Sequence, residues 1–387
     1  MKRILTVALA VMLTGALLLS GCGSKQIATK NDKELNETIV ATFGDIKVTQ
    51  ADYNFIYKLL YDNMAQYREY YGEDWINTEI EEGKTIGDYI KKNTINQLKQ
   101  LSAAFILAEE NGIEVDSDIR DAVKTQKEQI IEGNYQGEGN YVAFLENSRT
   151  TDKAIDTYLQ MYEVYNKFFE KMTSVGGKAY IEDKDIEKEF FEEYSDKWRV
   201  QHILISTQEQ TDDAGNTTPA RSDAEAQKLV KEIIAKLDKG EDFDNLIEEY
   251  NEDPGMSKGN YYVFGTGEMV PEFEEASANL KVGEYTKEGV KTDYGYHIIK
   301  KYEINTDIKE FKDFKNAKNE EKVMGLVEEK MEGIKSNVEE KVIDKYVKAW
   351  LEELKEEEKA TQNPQSSQMQ QSQAESENNT QGESSAE

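Results

Sequence analysis

Two histidines make up the whole imidazole inventory of this 387-residue chain, and both lie in β-like runs. His202 sits in Val200-Gln201-His202-Ile203-Leu204, and His297 in Gly295-Tyr296-His297-Ile298-Ile299. Runs of this kind, rich in strand-forming apolar residues, suggest neighbouring buried strands. A buried imidazole needs a hydrogen-bond partner, so the two rings are candidates to meet. One reading is a hydrogen-bonded network at a site; the plainer one is that they tie two core strands together. No histidine has the spacing of a metal-ligand set, so neither metal nor cofactor is expected. The single cysteine, Cys22, excludes a disulfide-held fold and thiolate metal sites.

The length suggests two or three domains at about 100–200 residues each. Apolar residues make up 38%, enough for a core, with a low mean hydropathy of -0.76. The formal charge of -30 argues against nucleic-acid binding, which needs clustered Lys and Arg over phosphates. It favours solubility.

Met1-Lys2-Arg3 is a basic start, followed by an apolar run from Ile4 to Leu19. That run is short for a membrane span, which needs about 20 residues, and fits a secretory h-region. It ends in Leu19-Ser20-Gly21-Cys22, which resembles the bacterial lipobox. The resemblance implies that 1–21 is a signal peptide and Cys22 the lipidated first residue. A diacylglycerol on Cys22 supplies the two chains that stable anchoring needs. Residues 22–37 read as a polar tether.

Thr38 to Val48 reads as a hairpin around Gly44-Asp45, and Thr49 with Asp52 as a helix start. Tyr53, Tyr57, Leu60, Met64, Tyr67 and Tyr71 recur at helical spacing. Further helices are predicted over about 86–111, 116–132, 151–173 and 183–194, with a loop at 135–139. The aromatic stripes are either helix-packing core or client-binding surface. From Trp198 to about Glu303 short strand-like runs and turn glycines take over, with a helix at 222–239. About 311–359 is helical again, its stripe running through Val323, Val327, Met331, Ile334, Val338, Val342, Tyr346 and Trp350. Such a helix needs a packing partner, so it is expected to fold back onto the N-terminal helices, making the central domain an insertion. Residues 361–387 are Gln, Ser, Asn and Glu with almost no hydrophobes, a composition expected to be disordered.

The central order is RVQHILI, a helix, GEDFDNLIEEYNEDPG, a strand ending in Phe264, GTGEMVPEFEEA, LKVGEY and TDYGYHIIK. It resembles the parvulin family of prolyl isomerases over essentially the whole domain. The resemblance implies a peptidyl-prolyl isomerase with His202 and His297 as the paired central histidines. It implies Asp253 at the position of a catalytic acid or thiol, and Thr292 as the hydroxyl joining the histidine network. Phe264, Met269 and Phe273 become the apolar wall for the proline ring. Where a Gly-Gly-Asp-Leu-Gly turn is usual, the chain runs through Gly259-Asn260-Tyr261-Tyr262-Val263, and the resemblance places Tyr261 at the leucine position and among the substrate-binding residues. Tyr294 replaces a small hydroxyl residue. The loop Thr207 to Arg221 lacks the basic cluster of phosphate-specific relatives, so no phosphate before proline should be required.

The outer segments resemble PrsA-type foldase lipoproteins and the N-terminal part of the chaperone SurA. The carrying residues are Val40-Ala41-Thr42-Phe43-Gly44-Asp45, Ala108-Glu109-Glu110-Asn111-Gly112-Ile113, and Asp183 to Tyr194. The expectation is an α+β protein: a mostly helical chaperone lobe made of the N- and C-terminal segments together, with an inserted parvulin domain built on a four-stranded antiparallel sheet. The expected domains are 38–197 (helical), 198–302 (isomerase) and 303–360 (C-terminal helix). Expected partners are unfolded secreted proteins, the membrane through Cys22, and a possible second copy of the chain, at the extracytoplasmic face of a Gram-positive cell. A holdase with a weak isomerase domain is the alternative. A solute-binding lipoprotein fits poorly, because alternating βαβ patterns are missing.

Overall fold

The computed structural model describes residues 27–64, 66–211 and 217–362. The expected signal peptide, Cys22, the start of the expected tether and the tail from 363 lie outside these residues. The described residues form two compact units, one within 1–179 and 322–387 and one within 180–321.

In the first unit, α1 (Asp32–Glu37) buries Leu35 in a cluster with Ala51 and Ala154. Part of the expected tether is therefore folded: an apolar residue in a polar stretch found small partners distant in sequence. β1 (Ile39–Phe43) and β2 (Ile46–Thr49) turn at Gly44, whose φ of +60 suits glycine. α2 (Gln50–Met64) opens with a capping box: Thr49 N–H donates to Asp52 (2.8 Å), and Asp52 N–H to the Thr49 hydroxyl (3.2 Å). The tyrosine spacing outruns this helix. Tyr53 and Tyr57 are buried, while Tyr67 and Tyr71, in α3 (Tyr67–Tyr71), are exposed. A small hairpin, β3 (Glu79–Glu81) and β4 (Lys84–Thr85), leads into α4 (Ile86–Glu110), capped by Thr85 and Asp88. α5 (Ser117–Gln129), α6 (Glu138–Asn147) and α7 (Asp152–Thr173) complete this stretch.

The second unit begins with α8 (Asp183–Glu193). β5 (Trp198–Ser206), the short β6 (Gln210–Thr211) and β7 (Thr217–Thr218), α9 (Asp223–Asp238) and α10 (Phe243–Tyr250) follow. Then come β8 (Tyr262–Phe264), α11 (Pro271–Asn279), β9 (Val290–Thr292) and β10 (Gly295–Tyr302). The main sheet has four strands in the order β8-β5-β10-β9, antiparallel throughout. Ile203, Ile205, Tyr296 and Ile298 bury one face against Val230 and Ile233 of α9 and Leu246 of α10. Val200 and Ile299, on the other face, meet Phe273 of α11.

α12 (Lys309–Gly333) carries the chain back to the first unit. Helix was expected without a break over about 311–359, but β11 (Ser336–Val338) intervenes before α13 (Glu340–Gln362). β11 pairs with the free edge of β1, Ala41 opposite Val338 and Phe43 opposite Ser336. An open strand edge leaves backbone groups unpaired, and this strand satisfies them. Val323, Val327, Ile343, Val347 and Trp350 share one core with Tyr53, Ile90, Leu98 and Phe168. The two ends of the chain thus build a single unit, with the sheet-bearing domain inserted between them.

Candidate active site

Strand register brings the two histidines onto one face. His202 lies opposite Ile299, and His297 opposite Leu204, so the rings are diagonal neighbours on β5 and β10. Their Nδ1 atoms are 3.0 Å apart, and the residues are only 2% and 5% exposed. β10 can come this close because it begins with Gly295, at φ +146, where a Cβ would sit 2.2 Å from the Ile205 carbonyl oxygen.

The hydrogen bonds run in one direction. His202 Nε2 lies 2.8 Å from Asp253 Oδ2. That bond, opposed by burial and helped by the Gly255 amide and Tyr262 hydroxyl, holds the Asp253 carboxyl well below the usual carboxylate range. An ionised carboxylate only accepts, so His202 Nε2 donates. With one hydrogen on each ring, His202 Nδ1 then accepts from His297 Nδ1. His297 Nε2 is left to accept the Thr292 hydroxyl at 2.8 Å. Thr292 Oγ1 takes the Tyr294 amide at 3.2 Å. Burial first, and the neighbouring His202 second, push the His297 ring down to about 3. The chain of donors ends at Asp253, whose side chain is 21% exposed.

An apolar wall stands over the imidazoles. Phe273 presents edge-on contacts to both rings, with centroids 5.2 Å from His202 and 5.3 Å from His297. Phe264 is 5.8 Å from Phe273, and half-buried Met269 packs on the same cluster. His202, His297, Thr292, Asp253, Phe264, Met269 and Phe273 are thus gathered in one place. Such an arrangement offers an apolar seat beside a fixed hydrogen-bond network, with a carboxylate at its open end.

Tyr261 is not part of it. Its ring lies 3.8 Å from the Arg199 guanidinium and 4.9 Å from the Tyr302 ring. Arg199 and Tyr302 are register partners, and both alternate to the face away from the histidines. Tyr262 is the residue that faces them, since it pairs with Val200, two residues before His202. One residue in a strand reverses the face, and the turn's resemblance alone did not settle which tyrosine would point inward.

Residues 186–305 match the model of the PPIC-type PPIASE domain. The foldase protein PrsA of Geobacillus kaustophilus is 41% identical over 156 residues, 39% of this chain and 47% of that protein, so this match spans about half of the relative. The foldase protein PrsA of Geobacillus sp. (strain WCH70) is 32% identical over 234 residues, 52% of this chain and 76% of that protein. This chain belongs to the PrsA foldase family. A crystal structure of PrsA from Bacillus subtilis aligns over 74% of this chain and 87% of its own at 24% identity, with a TM-score of 0.28.

Two residues of this PrsA-family site escaped the sequence reading. Tyr262 donates its hydroxyl to Asp253 Oδ2 at 2.9 Å; burial and that carboxylate push its own ionisation up to about 12. Asn251 pins the acid's loop to β5. Its Oδ1 accepts Leu204 N–H at 2.9 Å and Asp253 N–H at 3.2 Å, and its amide donates to the Asp253 and Met256 carbonyls. The Asn-x-Asp-Pro-Gly run was a turn signal of the kind Asn side chains make.

Proposed function

We propose that the protein is an extracytoplasmic foldase that isomerises X-Pro bonds in unfolded secreted chains, with the face of Phe264, Met269 and Phe273 receiving the proline. Rotation about the imide bond faces about 18–20 kcal/mol, most of it lost resonance. No bond is made or broken, so the site needs no nucleophile. The twisted imide has less charge separation than the planar one, so a dry apolar seat favours it. The observation that carries this reading is the buried His202–His297 pair, bonded to Asp253 and covered by Phe273. Asp253 contributes an electrostatic term at the rim. Spontaneous isomerisation takes tens to hundreds of seconds, long enough to leave a client exposed to proteolysis.

A protease-coupled assay on a proline peptide tests this, with wild type expected to exceed the uncatalysed rate and Asp253→Ala to fall toward it. If both match the uncatalysed rate while client aggregation is still suppressed, the holdase reading replaces it. What favours that reading is an open cavity of about 580 Å³ in the first unit, where apolar Ile106, Phe168 and Leu326 stand among charged Glu109, Lys178 and Lys330. Phosphate before proline should not improve the substrate. Arg221, the one basic residue of its loop, already pairs with Glu252 (2.6 and 2.8 Å) and the Ser206 carbonyl.

No helix among the described residues is long and apolar enough to cross a membrane. Attachment is assigned to lipid on Cys22, and Cys22→Ala should release the protein from membranes. Retention of that variant after a salt wash would refute the anchor.

A further inference from the structure

The geometry points to Tyr262 as a positioning residue for the isomerase site, one whose hydroxyl fixes the carboxylate of Asp253 against His202. This rests on the isomerase reading above. Asp253 Oδ1 accepts the Gly255 amide at 2.9 Å. Oδ2 accepts both His202 Nε2–H at 2.8 Å and the Tyr262 hydroxyl at 2.9 Å. A carboxylate offers about four acceptor directions, and three donors from three separate segments take it from different sides. His202 comes from a sheet strand, Gly255 from the acid's own loop, and Tyr262 from the edge strand β8. With only the first two, the carboxylate keeps a soft torsion about its Cβ–Cγ bond. The third donor closes that freedom, because Tyr262 is anchored at both ends: its backbone pairs with β5, and its ring lies 5.5 Å from the His202 ring.

Gly255 supplies independent support. Its φ is not in the left-handed region, so no backbone requirement selects glycine. A Cβ there would lie 2.4 Å from the Tyr262 hydroxyl oxygen, so any larger residue would displace that oxygen from Asp253. The loop is therefore shaped around this one hydroxyl.

The test uses the full-length protein and a chymotrypsin-coupled proline-peptide assay. Tyr262→Phe keeps the ring and removes only the oxygen. It should lower kcat about tenfold, near the low end for a lost hydrogen bond to a charged group, with KM within about twofold. The acid limb of the kcat profile should move to higher pH, because one donor that favours the ionised carboxylate is gone. Gly255→Ala should lower kcat similarly by pushing the hydroxyl aside. The double variant should be no worse than either single one, since Tyr262→Phe removes the atom the new methyl strikes. Wild-type kcat and pH profile in Tyr262→Phe would overturn the positioning role and leave the isomerase reading intact. An inactive wild type would overturn both.

Discussion

Among the described residues each unit of this protein holds a buried polar cluster, one around Lys127 and one around the histidines, and the two are built on opposite plans. In the first unit Lys127, 2% exposed, sits between Asp152 at 3.1 Å and Asp156 at 2.7 Å. Asp152, also 2% exposed, further accepts the Tyr141 hydroxyl at 3.0 Å and the Ile27 amide at 3.1 Å. The cluster centres on Lys127 between two aspartates, joins α5, α6, α7 and the N-terminal segment, and is closed to water at Lys127 and Asp152. In the second unit imidazoles form the chain, and the one carboxylate ends it at a partly open edge. A buried ion cluster is a lock: its donors and acceptors engage one another rather than a ligand. A chain of imidazole and hydroxyl groups that surfaces at one acid can be rigid and still present a group to a substrate.

The comparison breaks most readily at the lock. Lys127→Ala strands the buried Asp152 carboxylate, and removing one partner of a buried pair costs about 3–5 kcal/mol. Urea unfolding of the first unit should shift by that amount, while turnover per folded molecule stays at the wild-type value. An unchanged midpoint would show that the cluster is solvated and the contrast false. Next in size is Trp350→Ala. Trp350 donates to the Asn147 carbonyl at 2.9 Å and meets Tyr57 and Tyr61 edge-on. Its loss should cost about 3 kcal/mol, which tests whether α13 completes the first unit's core.

The third prediction concerns acid. His297 is held at about 3 in the fold, against about 6.5 for a free imidazole. Between those values the unfolded chain binds the proton and the folded one does not, so stability rises with pH. The contribution is complete above about 6.5 and is lost as pH falls toward 3, at up to about 1.4 kcal/mol per pH unit. Asp253, lowered from 3.8, adds stability that begins to be lost as pH falls below about 3.8 and goes on falling at lower pH. Denaturation of the second unit at pH 7, 5 and 4 should show this slope, and equal midpoints would contradict the buried neutral ring. The smallest effect on stability belongs to Asp253→Asn. The Asp253 side chain is 21% exposed, so weakening its charge-assisted hydrogen bonds should cost about 1–2 kcal/mol and still depress isomerase turnover. Intact turnover would remove the acid from the mechanism.

Legibility in the sequence followed the range of the interactions. Thr49 with Asp52, Thr85 with Asp88 and Ser222 with Glu225 are contacts across three residues. The first was read as a helix start, and the other two are the caps of helices expected at about 86 and 222. The histidine strands were visible because apolar residues flank each ring. The break at β11 was hidden: Ile334, Val338 and Val342 keep helical spacing straight through a strand, and only the open edge of β1 requires one. Tyr67 and Tyr71 likewise keep the spacing of a stripe whose helix has already ended. Leu35 gave no sign of its place, since Ala51 and Ala154 are far along the chain.

The sequence by itself determined the helix caps, the strand positions of both histidines, the inserted order of the domains and the family, because each is written in residues near one another or in a linear order of motifs. Tertiary structure decided which of two adjacent tyrosines meets Asp253, which way the hydrogen bonds run from Thr292 to that acid, and where the last long helix breaks. Those depend on strand register and on edges left open by distant segments, and one residue of register turns a side chain from the site to the opposite face.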